Sequence, residues 1–333
     1  MTDPFVLRPR RAPDTAEDRS TPLQVDPAFG ALAEHCADER VTDIFVNGAG
    51  GLFVDRGHGT ERVPEWRASE REVRDLAVAL VGLGGRHLDD RAPCVDVRLD
   101  SGIRVHAVLA PVSTSGTALS IRVPRVRAAD LGALATLGAF DAAQHAWLRT
   151  LVAERANVLI TGGTGTGKTT LLSAMLAAVP DGERIVTIED VAELRPPHPH
   201  HVALEARQAN LEGAGRITLA MLVRESLRMR PDRLVVGECR GEEVRDLLTA
   251  LNTGHDGGAG TLHASGLADV PARLEALGAL AGMDAPALAR QVVSAFTVVV
   301  HLARRPDGTR QIVQTGRFVL DGERLGIEEV QPW

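Results

Sequence analysis

The sequence predicts an α/β protein: a parallel sheet with helices on both faces, preceded by a smaller α+β domain. Three observations carry that expectation. At 333 residues the chain is about twice the usual domain length, so two folding units are expected. After Asp141, short apolar runs alternate with helical periods, the pattern of parallel strands joined by crossover helices. Before it, short segments alternate apolar and polar residues around glycines, as half-buried strands do.

Residues 1–25 hold proline, arginine and aspartate without period and read as a mobile arm. Residues 26–123 form the α+β domain. There PAFGALAEHCADE reads as a helix, and VTDIFVNG with GGLFVDRG as a hairpin. SEREVRDLAVALVGLGG repeats apolar residues at helical spacing and stops at Gly84-Gly85. CVDVRLDSGIRVHAVLAPV reads as two strands around Asp100-Ser101-Gly102, and ALSIRVPR as a third. Residues 124–140 are expected to link this domain to residues 141–333, running into a helix. In that second domain NVLITGG is a buried strand, KTTLLSAMLAAV a helix, ERIVTIED a strand and ITLAMLVRESLRMR a helix. DRLVVGE is a further strand, EEVRDLLTALNTG a helix, GGAGTLHA a strand or loop, and VPARLEALGAL a helix. FTVVVHLA and RQIVQTGRFVL read as an antiparallel extension.

Composition narrows the function. With 44% apolar and 24% charged residues the chain is neither disordered nor a coiled coil. A net charge of −7 argues against coating DNA through the overall field, and seven Phe, three Trp and no Tyr leave little for base stacking. No run of eighteen apolar residues occurs, and the first residues lack the apolar block of a signal peptide. A cytosolic protein, or one recruited to a membrane from the cytosol, is expected. Cys36, Cys94 and Cys239 are too few for a disulfide framework or a cysteine-based zinc site. Of 37 basic residues only Lys168 is lysine. An ammonium kept there marks a tight spot where a planar guanidinium does not fit.

Gly162-Gly163-Thr164-Gly165-Thr166-Gly167-Lys168-Thr169 matches G-x-x-x-x-G-K-[ST] at every fixed position, between an apolar strand and an amphipathic helix. Glycines let successive N–H groups converge on phosphate oxygens, and the helix start adds its positive end. Lys168 is expected to neutralise β- and γ-phosphates of ATP, the Thr169 hydroxyl to bind Mg²⁺, and Thr170 to extend the nucleotide-binding set. Glu238, at the end of the run DRLVVGE, is the acidic group such a loop needs for its metal.

Four motifs occur in order: this loop, the acidic box Thr187-Ile188-Glu189-Asp190-Val191-Ala192-Glu193-Leu194, the block LRMRPDRLVVGE, and the histidine box NTGHDG…TLHA. Over about residues 30 to 305 the chain resembles the secretion-superfamily ATPases, hexameric motors of type II and type IV secretion, conjugation and pilus assembly. Its wording is nearest to the CpaF-like branch of tight-adherence (Tad) pilus assembly. The resemblance implies a RecA-like P-loop ATPase domain that uses ATP and Mg²⁺. It implies that Glu193 activates the attacking water, that Glu189 and Asp190 support the metal shell, and that Glu238 organises magnesium or water. His263 is implied as a γ-phosphate sensor or a link to a subunit interface, with His255 and Asp256 as its partners. Arg207 is implied as an arginine acting on nucleotide phosphate, alongside a cluster of Arg224, Arg228, Arg230 and Arg233. Arg98, Arg104 and Arg122 match positions lining the nucleotide cleft. Implied partners are copies of the same chain, in a hexamer, and platform proteins of the inner membrane, on whose cytoplasmic side the motor sits.

Two other readings are weighed against the motor. A nucleic-acid translocase conflicts with the acidic charge, and an ATP-holding scaffold without turnover conflicts with the intact Lys168, Glu193 and Glu238. His198, His200 and His201, in PPHPHH, read as a solvated loop, and Cys239 as a small buried hydrophobe.

Overall fold

The structure, a computed structural model, describes residues 25–57, 59–99, 101–123, 130–207 and 215–333. Nearly all of the expected arm, Asp100 of the expected turn and residues 124–129 of the expected linker lie outside the described residues. The described chain forms two compact units, one within Met1–Arg127 and one within Ala128–Trp333.

In the first unit β1 (Asp43–Asn47), β2 (Leu52–Asp55), β3 (Thr60–Val63), β4 (Cys94–Arg98), β5 (Arg104–Val108) and β6 (Ala118–Arg122) make one antiparallel sheet, ordered β3-β2-β1-β6-β5-β4. Alternation buries Ile44, Val46, Val54, Val97, Val105 and Ile121 with Val73, Ala77, Leu80 and Val81 of the helix Glu70–Leu83. Ser69 and Glu72 close a capping box at that helix start, which fixes where it begins. Two expectations change. β3 is an exposed edge strand, TERV, with no apolar face to announce it. PAFGALAEHCADE is not one helix but a 3₁₀ stretch, Pro27–Leu32, broken at Gly30 with φ of 50°, and then the short helix Ala33–Ala37.

The second unit contains β7 (Val158–Gly162), β8 (Ile185–Glu189), β9 (His201–Glu205), β10 (Arg233–Val236), β11 (Ala259–His263), β12 (Val298–Arg304), β13 (Arg310–Asp321) and β14 (Arg324–Glu329), ordered β14-β13-β12-β7-β11-β10-β8-β9. The six strands from β12 to β9 are parallel, and β13 and β14 continue antiparallel. β7, β8 and β10 are buried along their whole length, because separate hydrophobic cores lie on the two faces of the sheet. Leu131, Leu134 and Phe140, within the segment expected as linker, are buried in one of those cores.

Three expectations change here. FTVVVHLA does not begin an antiparallel extension: β12 runs parallel beside β7, and the antiparallel part starts at β13. PPHPHH is not a solvated loop: His198 is buried and its Nε2–H donates to the Pro180 carbonyl (3.1 Å), and His201 opens β9 with its Nε2 2.9 Å from Thr187 Oγ1. The helix expected through Arg230 covers only Leu219–Ser226, then tightens to a 3₁₀ turn and leaves at Arg230, whose φ is 52°, before Pro231.

Candidate active site

Parallel strands bring their C-terminal ends to one edge, where open α/β sheets bind ligands. In this sheet the register sets His263, the last residue of β11, beside Gly162, the last of β7. The loop after β10 brings Glu238 to the same edge, and β8 ends there at Glu189. Distant motifs therefore meet through strand register rather than through sequence proximity.

The glycine-rich loop leaves β7 and enters the helix Lys168–Ala177. Gly165 (φ 71°) and Gly167 (φ 94°) take the left-handed backbone that a tight loop needs there. No side chain caps this helix start, so its N–H groups remain available to an anion. Thr166 Oγ1 donates to Gly163 O (3.0 Å) within the loop. Lys168 is buried, and its Nζ donates to Gly162 O (3.0 Å) and Gly163 O (2.8 Å). Burial pushes that ammonium below its ordinary pKa, and Glu238 offsets part of the shift. Thr164, Gly165 and Thr170 are exposed, and Thr169 is half-buried.

Glu238 is held from both sides. His263 Nε2 lies 2.7 Å from its Oε1, and Arg240 bonds its Oε2 through Nε (2.8 Å) and Nη2. Burial, then the Lys168 charge, push the His263 pKa below its ordinary value while Glu238 acts the other way. A neutral His263 facing a carboxylate donates through Nε2–H. Its 3.5 Å approach to Lys168 Nζ is then proximity between two donors, not a hydrogen bond. Arg240 Nη1 also lies 3.7 Å from Asp190 Oδ2, so two carboxylates converge on one cation. The Arg240 backbone is fixed in turn by the buried Glu243, whose Oε1 accepts from Arg240 N and Gly241 N. Arg240 was not among the residues singled out in the sequence. The signal was its position two residues after Glu238, which in extended chain puts both side chains on one side.

Asp190 is exposed, whereas Glu189 turns inward. Its buried carboxylate accepts from the backbone N–H groups of Glu193 and Leu194, each at 3.1 Å, and so shapes the loop that presents exposed Glu193. Gly237 makes room for it: a Cβ there would lie 2.9 Å from Glu189 Oε1.

In the second unit, Arg207, Arg224, Arg228 and Arg233 bond to groups outside the phosphate loop. Arg207 is exposed, with Nε donating to Gly215 O (2.7 Å) across an isolated bridge to Ile217. Arg224 pairs with Asp246 (3.1 Å) and Arg228 with Glu225 (2.5 Å). Arg233 leaves the expected cluster altogether, being buried against Glu183 at 2.6 Å. In the first unit Arg98, Arg104, Arg122 and Asp43 are cross-strand neighbours on the face opposite the core. Arg104 Nε donates to Asp96 at 3.0 Å, and Arg122 Nε to Asp43 at 3.4 Å. Cys239 is buried as expected, and burial pushes its thiol pKa up.

The oxygen donors fit a magnesium nucleotide. Thr169, Glu238 and Asp190 offer hard oxygens, and the two carboxylates already converge on a positive group in Arg240. The profile described as Type II/IV secretion system protein matches residues 29–323. The chain belongs to that family. Among relatives, a Mycobacterium tuberculosis protein provisionally named for conjugal transfer is 51% identical over 310 residues, 91% of this chain and 88% of its own. The conjugal transfer protein TrbB of Rhizobium radiobacter is 34% identical over 281 residues, 82% of each chain. Among solved structures, the pilus retraction motor PilT with bound ADP superposes with a TM-score of 0.61 at 18% identity, covering 93% of this chain and 84% of its own. The Legionella pneumophila ATPase DotB gives 0.56 at 22%, covering 90% and 82%. At those identities the likeness shows the fold alone, a RecA-like α/β domain after a smaller α+β domain. Among the described residues of this family member, no helix is long and apolar enough to cross a membrane.

Proposed function

We propose that the protein is a Mg²⁺-dependent ATPase motor that powers pilus assembly or protein export from the cytoplasmic face of the bacterial inner membrane. The observation that carries this is the uncapped helix start at buried Lys168, set beside the His263–Glu238–Arg240 group by strand register. N–H groups of Gly163 to Thr169 bind phosphate oxygens, and Lys168 supplies the point charge for the β,γ-phosphates. Thr169, Glu238 and Asp190 would hold Mg²⁺, which would supply positive charge to offset that of the phosphates. Glu193 takes a proton from water as its oxygen attacks the γ-phosphorus, and the bond to the β,γ-bridging oxygen breaks to release ADP. His263 orients Glu238 throughout. The motif wording LRMRPD…VVGE and NTGHDG…TLHA supports the tight-adherence pilus branch. The names of the two relatives support conjugal transfer as a second reading, which predicts salt-sensitive stimulation of hydrolysis by DNA.

Arg207, bonded to its own loop rather than the phosphate site, supports completion of the site by a neighbouring subunit in a hexamer. Hydrolysis then moves the first units around the ring, and membrane platform proteins take up the motion. Mixing inactive Lys168→Ala chains with inactive Arg207→Ala chains tests this. Interfaces pairing an intact loop with an intact arginine recover activity; a strictly within-chain role for Arg207 gives none, because neither parent holds a complete site.

A further inference from the structure

We propose that Arg310 is a positioning residue of the phosphate loop, holding it from outside through its Nε–H. Arg310 is the first residue of β13, and its Nε donates to Gly165 O at 2.9 Å across 145 residues of sequence. Its aliphatic stem lies against the start of the loop's helix. A Cβ at Gly167 would stand 3.2 Å from Arg310 Cδ. The bond therefore falls on the carbonyl of left-handed Gly165 (φ 71°), two residues before left-handed Gly167 (φ 94°). A carbonyl held outward at Gly165 fixes the peptide plane that follows, and with it the direction of the Thr166 N–H. Thr166 and Lys168 brace the loop from within, at Gly163 and Gly162. Arg310 braces the remaining corner.

The residue is itself well placed. Asp307 and Gly308 turn the chain between β12 and β13, with Thr309 N donating to Asp307 Oδ1 (2.9 Å) and Arg305 N to Thr309 O (2.8 Å). β13 is then pinned by Gln311 Nε2 on Gly138 O (3.1 Å) and Ile312 N on Ala139 O (3.2 Å). Arg310 thus reaches the loop from a strand whose start is anchored twice, so the terminal hairpin and the phosphate loop are mechanically joined.

The proposal deepens the reading of this loop as a nucleotide site, and side-chain geometry makes it separable from a charge effect. Glutamine carries an amide nitrogen at the chain position of the arginine Nε, without charge. Lysine keeps the charge but has a methylene at that position. Arg310→Ala, Arg310→Gln and Arg310→Lys are compared with wild type by titration with fluorescent ADP and by amide hydrogen exchange of the loop without nucleotide. Arg310 is exposed, so all three are expected to melt with wild type. The expected result is about tenfold weaker ADP binding and faster exchange across Gly165–Lys168 for the alanine and lysine variants, with glutamine near wild type. The kcat at saturating ATP should change less than KM. Wild-type behaviour of the alanine variant overturns the proposal. So does the reverse order, lysine intact and glutamine impaired, which would make Arg310 a counter-charge. Failure of wild-type protein to bind ADP would refute the nucleotide reading instead, and the exchange pattern would still decide the brace.

Discussion

Replacing Glu189 with alanine separates a shaping role from a metal-binding one. Glu189 touches the backbone of its own loop at Glu193 and Leu194, and Leu194 is fully buried. Removing the carboxylate strands the Leu194 N–H, worth about 1–3 kcal/mol, and forfeits a charge-assisted hydrogen bond of similar size. At Glu193, which is exposed, water replaces the lost bond. The net loss is therefore about 2–6 kcal/mol, or roughly 4–24 °C in melting temperature for a unit of this size. Glu193 loses the support that aims it, so single-turnover ATP hydrolysis should fall by about tenfold to hundredfold. ATP binding should persist, because the bonds Glu189 accepts from Glu193 N and Leu194 N shape a different loop from the phosphate loop. Glu189→Gln keeps an acceptor oxygen and should fall between the two proteins. Differential scanning calorimetry and quenched-flow hydrolysis measure both effects. A Glu189→Ala protein that melts with wild type and hydrolyses at the wild-type rate would refute the shaping role.

Two further outcomes follow from the second unit. Burial pushes the pKa of His201, His263 and His301 below the ordinary 6.5, so the unfolded chain binds more protons as pH falls through that value. Stability should thus drop from pH 7 to pH 5.5, which denaturant midpoints across that range will show; a rise would contradict it. Arg233→Met should cost about 3–5 kcal/mol by leaving Glu183 only the more distant Arg155 (3.8 Å) and removing the donor to Val152 O, and adding Glu183→Met should recover part of the loss, as a double-mutant cycle measures.

The elements that could be read in the sequence are those whose signal is local. β7, β8 and β10 are continuous apolar runs because both faces of the sheet are covered, and the phosphate loop announces itself by glycine spacing. β9 escaped because it follows proline and histidine and is only half-buried, and β3 because its TERV is an exposed edge. The direction of β12 depends on where two helices return the chain, which periodicity does not report. Glu189 and Asp190 are adjacent, and neighbours at a strand end point to opposite faces, one inward and one to solvent. That alternation was available from sequence. The contact of Arg310 with Gly165 was not, since nothing local links residues so far apart.

The central claim is that this edge of the sheet hydrolyses ATP, and phosphate release from Mg·ATP by wild type and by Lys168→Ala tests it most directly. The buried ammonium is the point charge proposed for the β,γ-phosphates, and no other lysine exists in the chain to replace it. Wild type should release phosphate steadily, with none released without Mg²⁺ and none by a folded Lys168→Ala protein. Release by Lys168→Ala at the wild-type rate would contradict the claim.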